Sequence, residues 1–187
     1  DGDILVRREL ATLLQATHQA PLYAVSDKGV SDFSYLGHDM KSYFNSGVLM
    51  YNLELMPQEV LSVPVGTHLR FHDQDVLNIY FKNNWSEIDR SYNAMTPDYQ
   101  RAGRAYLEHA ELSDPHIVHF NTYLKPWQYG ARHPFRKEYF DYWRKVYKEK
   151  LHPEWNGVCP WMKTLYHTFI PYTLREAISL FRYRHKC

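Results

Sequence analysis

The sequence predicts an α/β domain that binds its ligands along one edge of an open sheet. Apolar, β-prone runs at residues 21–25, 48–51 and 115–120 have the size of short buried strands. Segments with apolar side chains at helical spacing lie between these runs. Four polar motifs are predicted to sit where strands end, which is the edge that carries ligand sites in open α/β sheets.

The remaining elements are predicted from periodicity and from turn residues. Helices are expected over residues 10–19, 53–61, 75–83 and 99–111, and a short strand is expected around residues 90–93. A strongly amphipathic helix is predicted over residues 135–150, with an apolar face formed by Phe135, Tyr139, Trp143, Val146 and Tyr147. The tail from residue 162 to residue 186 mixes aromatic and basic side chains. This pattern fits a surface that rests on anionic lipid, and it fits a solvated helix equally well.

Composition limits the classes of function. The 187 residues suffice for one domain with its own core, and a net charge of +1 gives no global argument for nucleic acid as a partner. The two cysteines, Cys159 and Cys187, form no disulfide framework, so a reducing, cytoplasmic setting is expected. No apolar run approaches the roughly 18–20 residues of a membrane span. Aromatic residues make up 16% of the chain and suit both packing and sugar-facing surfaces.

The first polar motif is Asp1-Gly2-Asp3, at the very start of the chain. Two carboxylates separated by glycine can both turn toward one cation, because glycine lets the backbone come close. Hard oxygen ligands of this kind suit Mg²⁺ or Mn²⁺, particularly with a phosphate as co-ligand. A solvated acidic terminus is the alternative interpretation of the same residues.

Three further motifs contribute an amide, an acidic turn and a basic pair. Asn45 precedes a predicted strand, and residues 73–75 (Asp-Gln-Asp) precede an apolar run, where they could also act as an ordinary helix cap. His119 lies near the end of a predicted strand, and Lys125 follows in a loop. Two carboxylates, one histidine and one lysine together would hold a divalent cation and a diphosphate.

With these motifs in place, the chain resembles glycosyltransferase family 8, in the branch of bacterial lipopolysaccharide galactosyl- and glucosyltransferases. The residues that carry the resemblance are D-G-D-I-L-V at 1–6, Y-F-N-S-G-V-L-M-Y-N-L at 43–53, H-D-Q-D-V-L-N at 72–78 and H-F-N-T-Y-L-K-P-W at 119–127. They cover roughly residues 1 to 130 and occur in the family's order. The resemblance implies the C-terminal portion of a GT-A fold, followed by a helical, aromatic and basic tail.

The resemblance also implies a function. It is the retaining transfer of galactose or glucose from UDP-galactose or UDP-glucose to a saccharide acceptor of a cell-surface glycan or glycoprotein. The reaction would depend on Mn²⁺, with Mg²⁺ as an alternative ion. Asp1, Asp3 and His119 would ligate the metal, and Lys125 would hold the diphosphate.

The remaining motif residues would act on the donor sugar. Asn45 and Asp73 would bind its hydroxyls, and Gln74 would lie on the reacting face of the anomeric carbon. Asp75 is a second candidate for a catalytic role. The resemblance leaves open whether retention uses a covalent intermediate or same-face attack within an ion pair. Because glutamine is a weak nucleophile, the ion-pair route is favoured, with the amide dipole of Gln74 stabilising an oxocarbenium-like centre.

We expect residues 1–134 to be a partial catalytic domain and residues 135–187 to be a helical region that contacts the inner face of the plasma membrane peripherally. The family places its pocket for uracil and ribose before the D-x-D motif. We therefore expect that the chain is either part of a longer enzyme or is completed by another segment, and that it is not active alone. A non-catalytic, transferase-like scaffold that pairs with an active partner is the alternative. A third interpretation treats Asp1, Asp3 and His119 as an iron-oxygenase triad, but it leaves Lys125 and residues 73–75 without a role.

Overall fold

The structure is a computed structural model that describes residues 2–15, 19–37, 40–56, 68–123, 125–128 and 130–148. Its described strands are β1 (Ile4–Val6), β2 (Leu22–Ala24), β3 (Met50–Tyr51), β4 (Ser86–Glu87), β5 (Ala94–Met95) and β6 (Ile117–His119). Its described helices are α1 (Ala11–Gln15), α2 (Asp73–Phe81), α3 (Thr96–Ala102), α4 (Ala110–Ser113) and α5 (Arg136–Tyr147). The chain divides into two units, formed by Asp1–Ala94 with Leu107–His119 and by Met95–Tyr106 with Phe120–Cys187.

One three-stranded sheet has the strand order β1-β6-β5. Strands β1 and β6 are antiparallel, and Ile4 lies opposite His119. The acidic motif was predicted to follow a strand, but Asp3 instead directly precedes β1. Because the pairing is antiparallel, the start of β1 and the end of β6 share one edge of the sheet. Asp3 therefore reaches the predicted edge from the opposite end of its strand.

The second sheet has the order β3-β2-β4, with β2 antiparallel to β3 and parallel to β4. Every residue of β2 is buried, as its apolar run predicted. Leu22 and Ala24 of this strand pack with Phe44 and with Phe81 of α2. Trp85 closes the cluster with its ring edge-on to Phe44 at 5.2 Å between centroids. This apolar cluster holds α2 and the Asn45 segment in the same unit.

Two predicted elements differ from those in the structure, because local capping contacts and a glycine set where the turns and helices begin and end. Residues 90–93 form a 3₁₀ turn rather than a strand, because the Asp89 side chain accepts the Ser91 N–H at 2.9 Å and starts a turn there. The helix predicted over residues 99–111 begins earlier, at Thr96, where Pro97 suits the first turn. It ends at Gly103, whose φ of +56° no helix interior allows.

Elsewhere the predictions hold in part. Of the helix predicted over residues 53–61, the described portion is one 3₁₀ turn, Leu53–Leu55, and residues 57–67 lie outside the described residues. The strand predicted at 48–51 is present as β3, but it is not buried. The strand predicted at 115–120 is confirmed as β6, which is buried throughout.

A buried carboxylate fixes the start of α2. Asp75 is completely buried, and its two oxygens accept four hydrogen bonds. The hydroxyls of Tyr35 and Tyr43 donate to Oδ1 at 2.9 and 2.6 Å, and the backbone N–H groups of Arg70 and Phe71 donate to Oδ2 at 2.6 and 2.8 Å. Four donors compensate the loss of hydration that burying a carboxylate costs. Asp75 thus joins two loops to the first turn of α2.

The two tyrosines remain protonated donors in this arrangement. Burial is the main cause that raises the pKa of the Tyr43 and Tyr35 hydroxyls above their usual range, and the hydrogen bond to Asp75 raises both further. A phenolate beside the Asp75 carboxylate would add a second buried negative charge. Neutral hydroxyls therefore donate to an anionic acceptor. We call Asp75, the two tyrosines and the two backbone N–H groups that donate to it the tyrosine clasp.

The second unit contains a cluster of aromatic rings around His133. The rings of Tyr99 and Phe120 meet its imidazole edge-on, each with 4.7 Å between centroids. The Phe135 N–H donates to His133 Nδ1 at 3.2 Å, which makes Nε2 the protonated nitrogen of a neutral ring. Burial lowers the pKa of His133 to about 3.

Helix α5 confirms the predicted helix over Arg136–Tyr147. The start of its predicted apolar face is packed, because Phe135 is buried and the ring of Tyr139 lies 5.7 Å from the rings of Phe120 and Trp127, while the end of that face is exposed. None of its 12 residues is buried, and Val146 is 67% exposed.

The predicted domain boundary after residue 134 stays a prediction. The tail from residue 162 to residue 186 lies outside the described residues. None of the helices in the described ranges has the length and apolar character that a membrane crossing requires.

We expect His133→Phe to flatten the acid dependence of stability. Unfolded His133 titrates near 6.5 and folded His133 near 3, so between these values the unfolded state binds more protons. Stability should therefore fall as the pH drops from about 6.5, and between about pH 7 and pH 5 His133 should contribute a loss of about 2 kcal/mol. Urea unfolding at both pH values measures this loss. The exposed His68→Gln variant is the control, and an unchanged pH dependence in His133→Phe would contradict the assignment.

We expect Asp75→Asn to destabilise the protein by roughly 2–4 kcal/mol, because one amide NH₂ would face two N–H or O–H donors in a buried site. Thermal and urea unfolding measure the change. The matched control is Asp73→Asn, two residues earlier, where an exposed carboxylate is replaced and stability should change little. Equal melting temperatures for Asp75→Asn and wild type would show that the clasp is not structural.

Candidate functional site

Asp3 and His119 are the two predicted metal ligands that the structure describes, and their side chains lie next to each other. Asp3 Oδ1 lies 3.3 Å from His119 Nε2, at the edge where β1 begins and β6 ends. The imidazole is almost completely buried, and the carboxylate is only slightly exposed. The antiparallel pairing of β1 with β6 is what brings these two side chains together.

The other nitrogen of His119 is held by an amide. His119 Nδ1 lies 2.9 Å from Asn93 Oδ1. An amide oxygen can only accept, so Nδ1 carries the proton in the neutral ring and the lone pair is on Nε2. This tautomer, with a polar group behind the ligating nitrogen, is the form in which histidines bind metals.

The residues present fit a divalent cation. A carboxylate oxygen and an imidazole nitrogen at one sheet edge are ligands that Mn²⁺ accepts. A Cβ built on Gly2 would meet no atom within 4 Å, so the backbone between the two aspartates of the motif is open to close approach. Asp1 lies outside the described residues, and among the residues that are described no three His, Cys, Asp or Glu side chains cluster as a metal site. The assignment of Asp1 as the third ligand stays a prediction.

A run of hydrogen-bonded amides extends from His119 to the first turn of α2. Asn93 Nδ2 donates to Asn45 Oδ1 at 3.0 Å, and Asn45 Nδ2 donates to Gln74 Oε1 at 3.0 Å. Asp27 Oδ2 closes the run by accepting from Asn45 Nδ2 at 3.2 Å and from Gln74 Nε2 at 3.3 Å. Four side chains from four separate segments are thereby fixed against one another. We call Asn93, Asn45, Gln74 and Asp27 the amide relay.

The backbone around Asn45 is fixed as firmly as its side chain. The Asn45 N–H donates to the Val25 carbonyl at 3.0 Å, and the Ser46 N–H donates to Gln74 Oε1 at 3.0 Å. Asn78, one turn after Gln74, receives the Phe44 N–H and donates to the Phe44 carbonyl, both at 2.9 Å. Its Nδ2 also reaches the Gln74 carbonyl at 2.8 Å. A completely buried asparagine thus fastens the strand-leading segment to α2.

Residues 73–75 point in three directions, although they are consecutive. Asp73 is exposed in the first turn of α2, Gln74 is buried in the amide relay, and Asp75 is buried in the tyrosine clasp. A helix rotates each residue by about 100° from the last, so three neighbours cannot share one face. An acidic group at this helix start is favoured by the helix dipole. The predicted site residues Asp73 and Gln74 therefore lie on different sides, and Asp75 has no open acceptor position.

Lys125 lies in the second unit. Its Nζ donates to the Phe120 carbonyl at 2.9 Å, and its backbone N–H donates to Gln128 Oε1 at 3.1 Å. These contacts shape the loop that follows β6. The assignment of Lys125 to a diphosphate stays a prediction.

Three residues of the site were not predicted from the sequence: Asp27, Asn78 and Asn93. Asn78 belongs to the quoted motif at 72–78, so its position in that motif was the available signal. Asn93 and Asp27 lie outside every quoted motif. Their roles depend on partners far away in the chain, and a local pattern does not show such partners.

Comparison with known proteins identifies the family. The model of Glycosyl transferase family 8 matches residues 1–131, which is more than half of the chain. Glycosyltransferase GlyF of Streptococcus pneumoniae is 33% identical over 142 residues, covering 68% of this chain and 32% of that protein. General stress protein A of Bacillus subtilis is 33% identical over 121 residues, covering 56% of this chain and 42% of that protein.

Among solved structures, the galactosyltransferase LgtC in complex with donor and acceptor sugar analogues is similar to this chain. The TM-score is 0.53 at 19% identity, and the match covers 74% of this chain and 57% of LgtC. At this identity the likeness shows the fold. The chain spans less than half the length of the two sequence relatives named above. By its family model and its fold, the chain belongs to glycosyltransferase family 8 and forms part of a GT-A fold.

Proposed function

We propose that the protein containing this chain is a retaining, Mn²⁺-dependent hexosyltransferase. It would move galactose or glucose from a UDP-sugar to a saccharide acceptor of a cell-surface glycan or glycoprotein. The observation that carries the proposal is the continuous set of contacts from Asp3 through His119 to the amide relay. It links residues suited to a metal with residues suited to sugar hydroxyls. The names of Glycosyltransferase GlyF and of the galactosyltransferase LgtC support the glycosyl-transfer part of this proposal.

Asp1, Asp3 and His119 would hold the Mn²⁺, with Mg²⁺ as an alternative. When bound, the ion supplies the Lewis-acid neutralisation that a departing diphosphate needs. Lys125 would add a positive charge to the same leaving group. Asp73 would bind a hydroxyl of the donor sugar from the exposed start of α2. Asn45 would bind another by exchanging one of its present hydrogen bonds, since both its oxygen and its nitrogen are already fully used.

Gln74 would act on the anomeric carbon through its dipole rather than by forming a bond to it. Its Oε1 already accepts from Asn45 Nδ2 and from the Ser46 N–H, each at 3.0 Å. An amide oxygen has two lone-pair positions, so covalent attack would first require one of these bonds to break. This favours same-face attack within an ion pair. Asp75, with four donors on its two oxygens, is assigned to positioning Gln74 and not to the reaction itself.

We expect Asp3→Asn in the full-length protein to abolish nearly all Mn²⁺-dependent turnover of UDP-galactose and UDP-glucose, because it removes a proposed metal ligand.

Gln74→Ala should lower kcat by roughly a hundredfold with little change in KM, the pattern of an interaction made mainly in the transition state. Release of UDP, with and without Mn²⁺, measures both. The exposed Glu87→Gln variant on β4 is the control.

Two results would overturn these assignments. Wild-type kcat in Gln74→Ala would remove the catalytic role of this residue. If the wild-type protein neither binds nor hydrolyses either UDP-sugar in the presence of Mn²⁺, the protein is instead a transferase-like scaffold.

We further propose that the protein contacts the inner face of the plasma membrane through its basic, aromatic tail. Deleting the residues after Thr168 should reduce co-sedimentation with vesicles that contain anionic phosphatidylglycerol, while activity on a soluble acceptor stays unchanged. Vesicles of neutral phosphatidylcholine are the control. Equal co-sedimentation of the shortened and the full protein would refute membrane contact through the tail.

A further inference from the structure

Asn93 joins the two halves of the candidate site. It is completely buried, and both ends of its amide are used on predicted site residues. Its Oδ1 faces His119 Nδ1 at 2.9 Å, and its Nδ2 donates to Asn45 Oδ1 at 3.0 Å. It lies at the end of the 3₁₀ turn that Asp89 caps, directly before β5. No other described side chain bonds both His119 and Asn45.

The hydrogen bonds on either side of Asn93 fix which way its amide group is oriented. A metal on His119 Nε2 requires the proton on Nδ1, and Nδ1–H requires an acceptor, which the Asn93 oxygen provides. The amide nitrogen must then face Asn45, whose oxygen accepts and whose nitrogen points to Gln74 and Asp27. The Asp27 carboxylate has only acceptor atoms, so the amide nitrogens of Asn45 and Gln74 must both point toward it. Each amide therefore has one orientation that satisfies every bond.

We propose that Asn93 is a positioning residue that couples the metal-binding His119 to the sugar-facing amides of Asn45 and Gln74. The inference rests on the proposed function, since it needs a metal on one side and a donor sugar on the other. With the proton of His119 on Nδ1, Asn93 holds Asn45 and Gln74 in their working orientation. The proposed metal site, where β1 begins and β6 ends, and the proposed sugar site, between the Asn45 segment and α2, are thereby set together.

The test compares Asn93→Asp with Asn93→Leu in the full-length protein. In Asn93→Asp one carboxylate oxygen still accepts from His119 Nδ1, so the Mn²⁺ Kd should stay within roughly threefold of wild type or fall. The other oxygen faces Asn45 Oδ1, and two acceptors repel. The Asn45 amide must then turn over and present its oxygen to Gln74 Oε1. We expect UDP-hexose kcat/KM to fall roughly tenfold or more in this variant.

Asn93→Leu removes the acceptor behind His119, so the Mn²⁺ Kd should rise roughly 10- to 100-fold. Mn²⁺ affinity is read from the electron paramagnetic resonance signal of free Mn²⁺, without UDP-sugar and independently of turnover. The exposed Asn83→Asp variant adds the same negative charge and controls for simple attraction of the cation. Melting temperatures are measured for all variants. If Asn93→Leu does not fold, Asn93→Asp alone decides.

A purely structural Asn93 predicts a different pattern. Mn²⁺ affinity and sugar turnover would then fall together in both variants, in proportion to the loss of stability, and that result overturns the proposal. Unchanged turnover in a folded Asn93→Asp, or an unchanged Mn²⁺ Kd in a folded Asn93→Leu, also overturns it. These outcomes assume an active wild type. A wild-type protein that binds neither Mn²⁺ nor UDP-hexose refutes the proposed function first, which is a distinguishable result.

Discussion

The antiparallel pairing of β1 with β6 is the constraint on which the candidate site depends. Each strand has three residues, and their pairing sets Ile4 opposite His119. Leu5 and Val118, the central pair, are buried, so the apolar side of the sheet holds the register. A shift by one residue would turn His119 to the other face and separate it from Asp3. The two predicted metal ligands are thus held by strand register rather than by proximity in the chain.

Buried amides supply the second level of organisation. Asn45, Asn78 and Asn93 would each be costly in a core if their hydrogen bonds were incomplete. In this chain each bonds through both its oxygen and its nitrogen, so their burial fixes orientation instead of weakening the fold. Two aspartates also fix the orientation of their partners by accepting hydrogen bonds. Asp27 accepts from the amides of Asn45 and Gln74, and Asp75 accepts from two tyrosines and two backbone N–H groups. Polar residues inside this unit define geometry, while Leu22, Ala24, Phe44 and Phe81 provide the apolar burial around them.

The first turn of α2 shows how one short motif can serve several purposes. Its exposed aspartate faces solvent, its glutamine enters the amide relay, and its second aspartate clasps two tyrosines and two backbone N–H groups. Helical rotation separates the three side chains, and each then meets a different part of the fold. Losing the hydrogen bonds of Asp75 would disturb the neighbouring Gln74, so the stability of this helix start and the position of the proposed catalytic residue are coupled.

Short motifs and local periodicity were enough to predict the family, the strands β2 and β6, the helix α2 and the residue types of the site. Long-range packing, in contrast, determines which residue of the Asp-Gln-Asp motif enters the amide relay, and that Asn93 and Asp27 complete it. Hydrogen-bond partners of this kind are set by segments far apart in the chain, and no local pattern encodes them. The break of the predicted 99–111 helix at Gly103 and the exposure of Val146 on α5 have a similar origin, since backbone conformation and packing, and not periodicity alone, determined them.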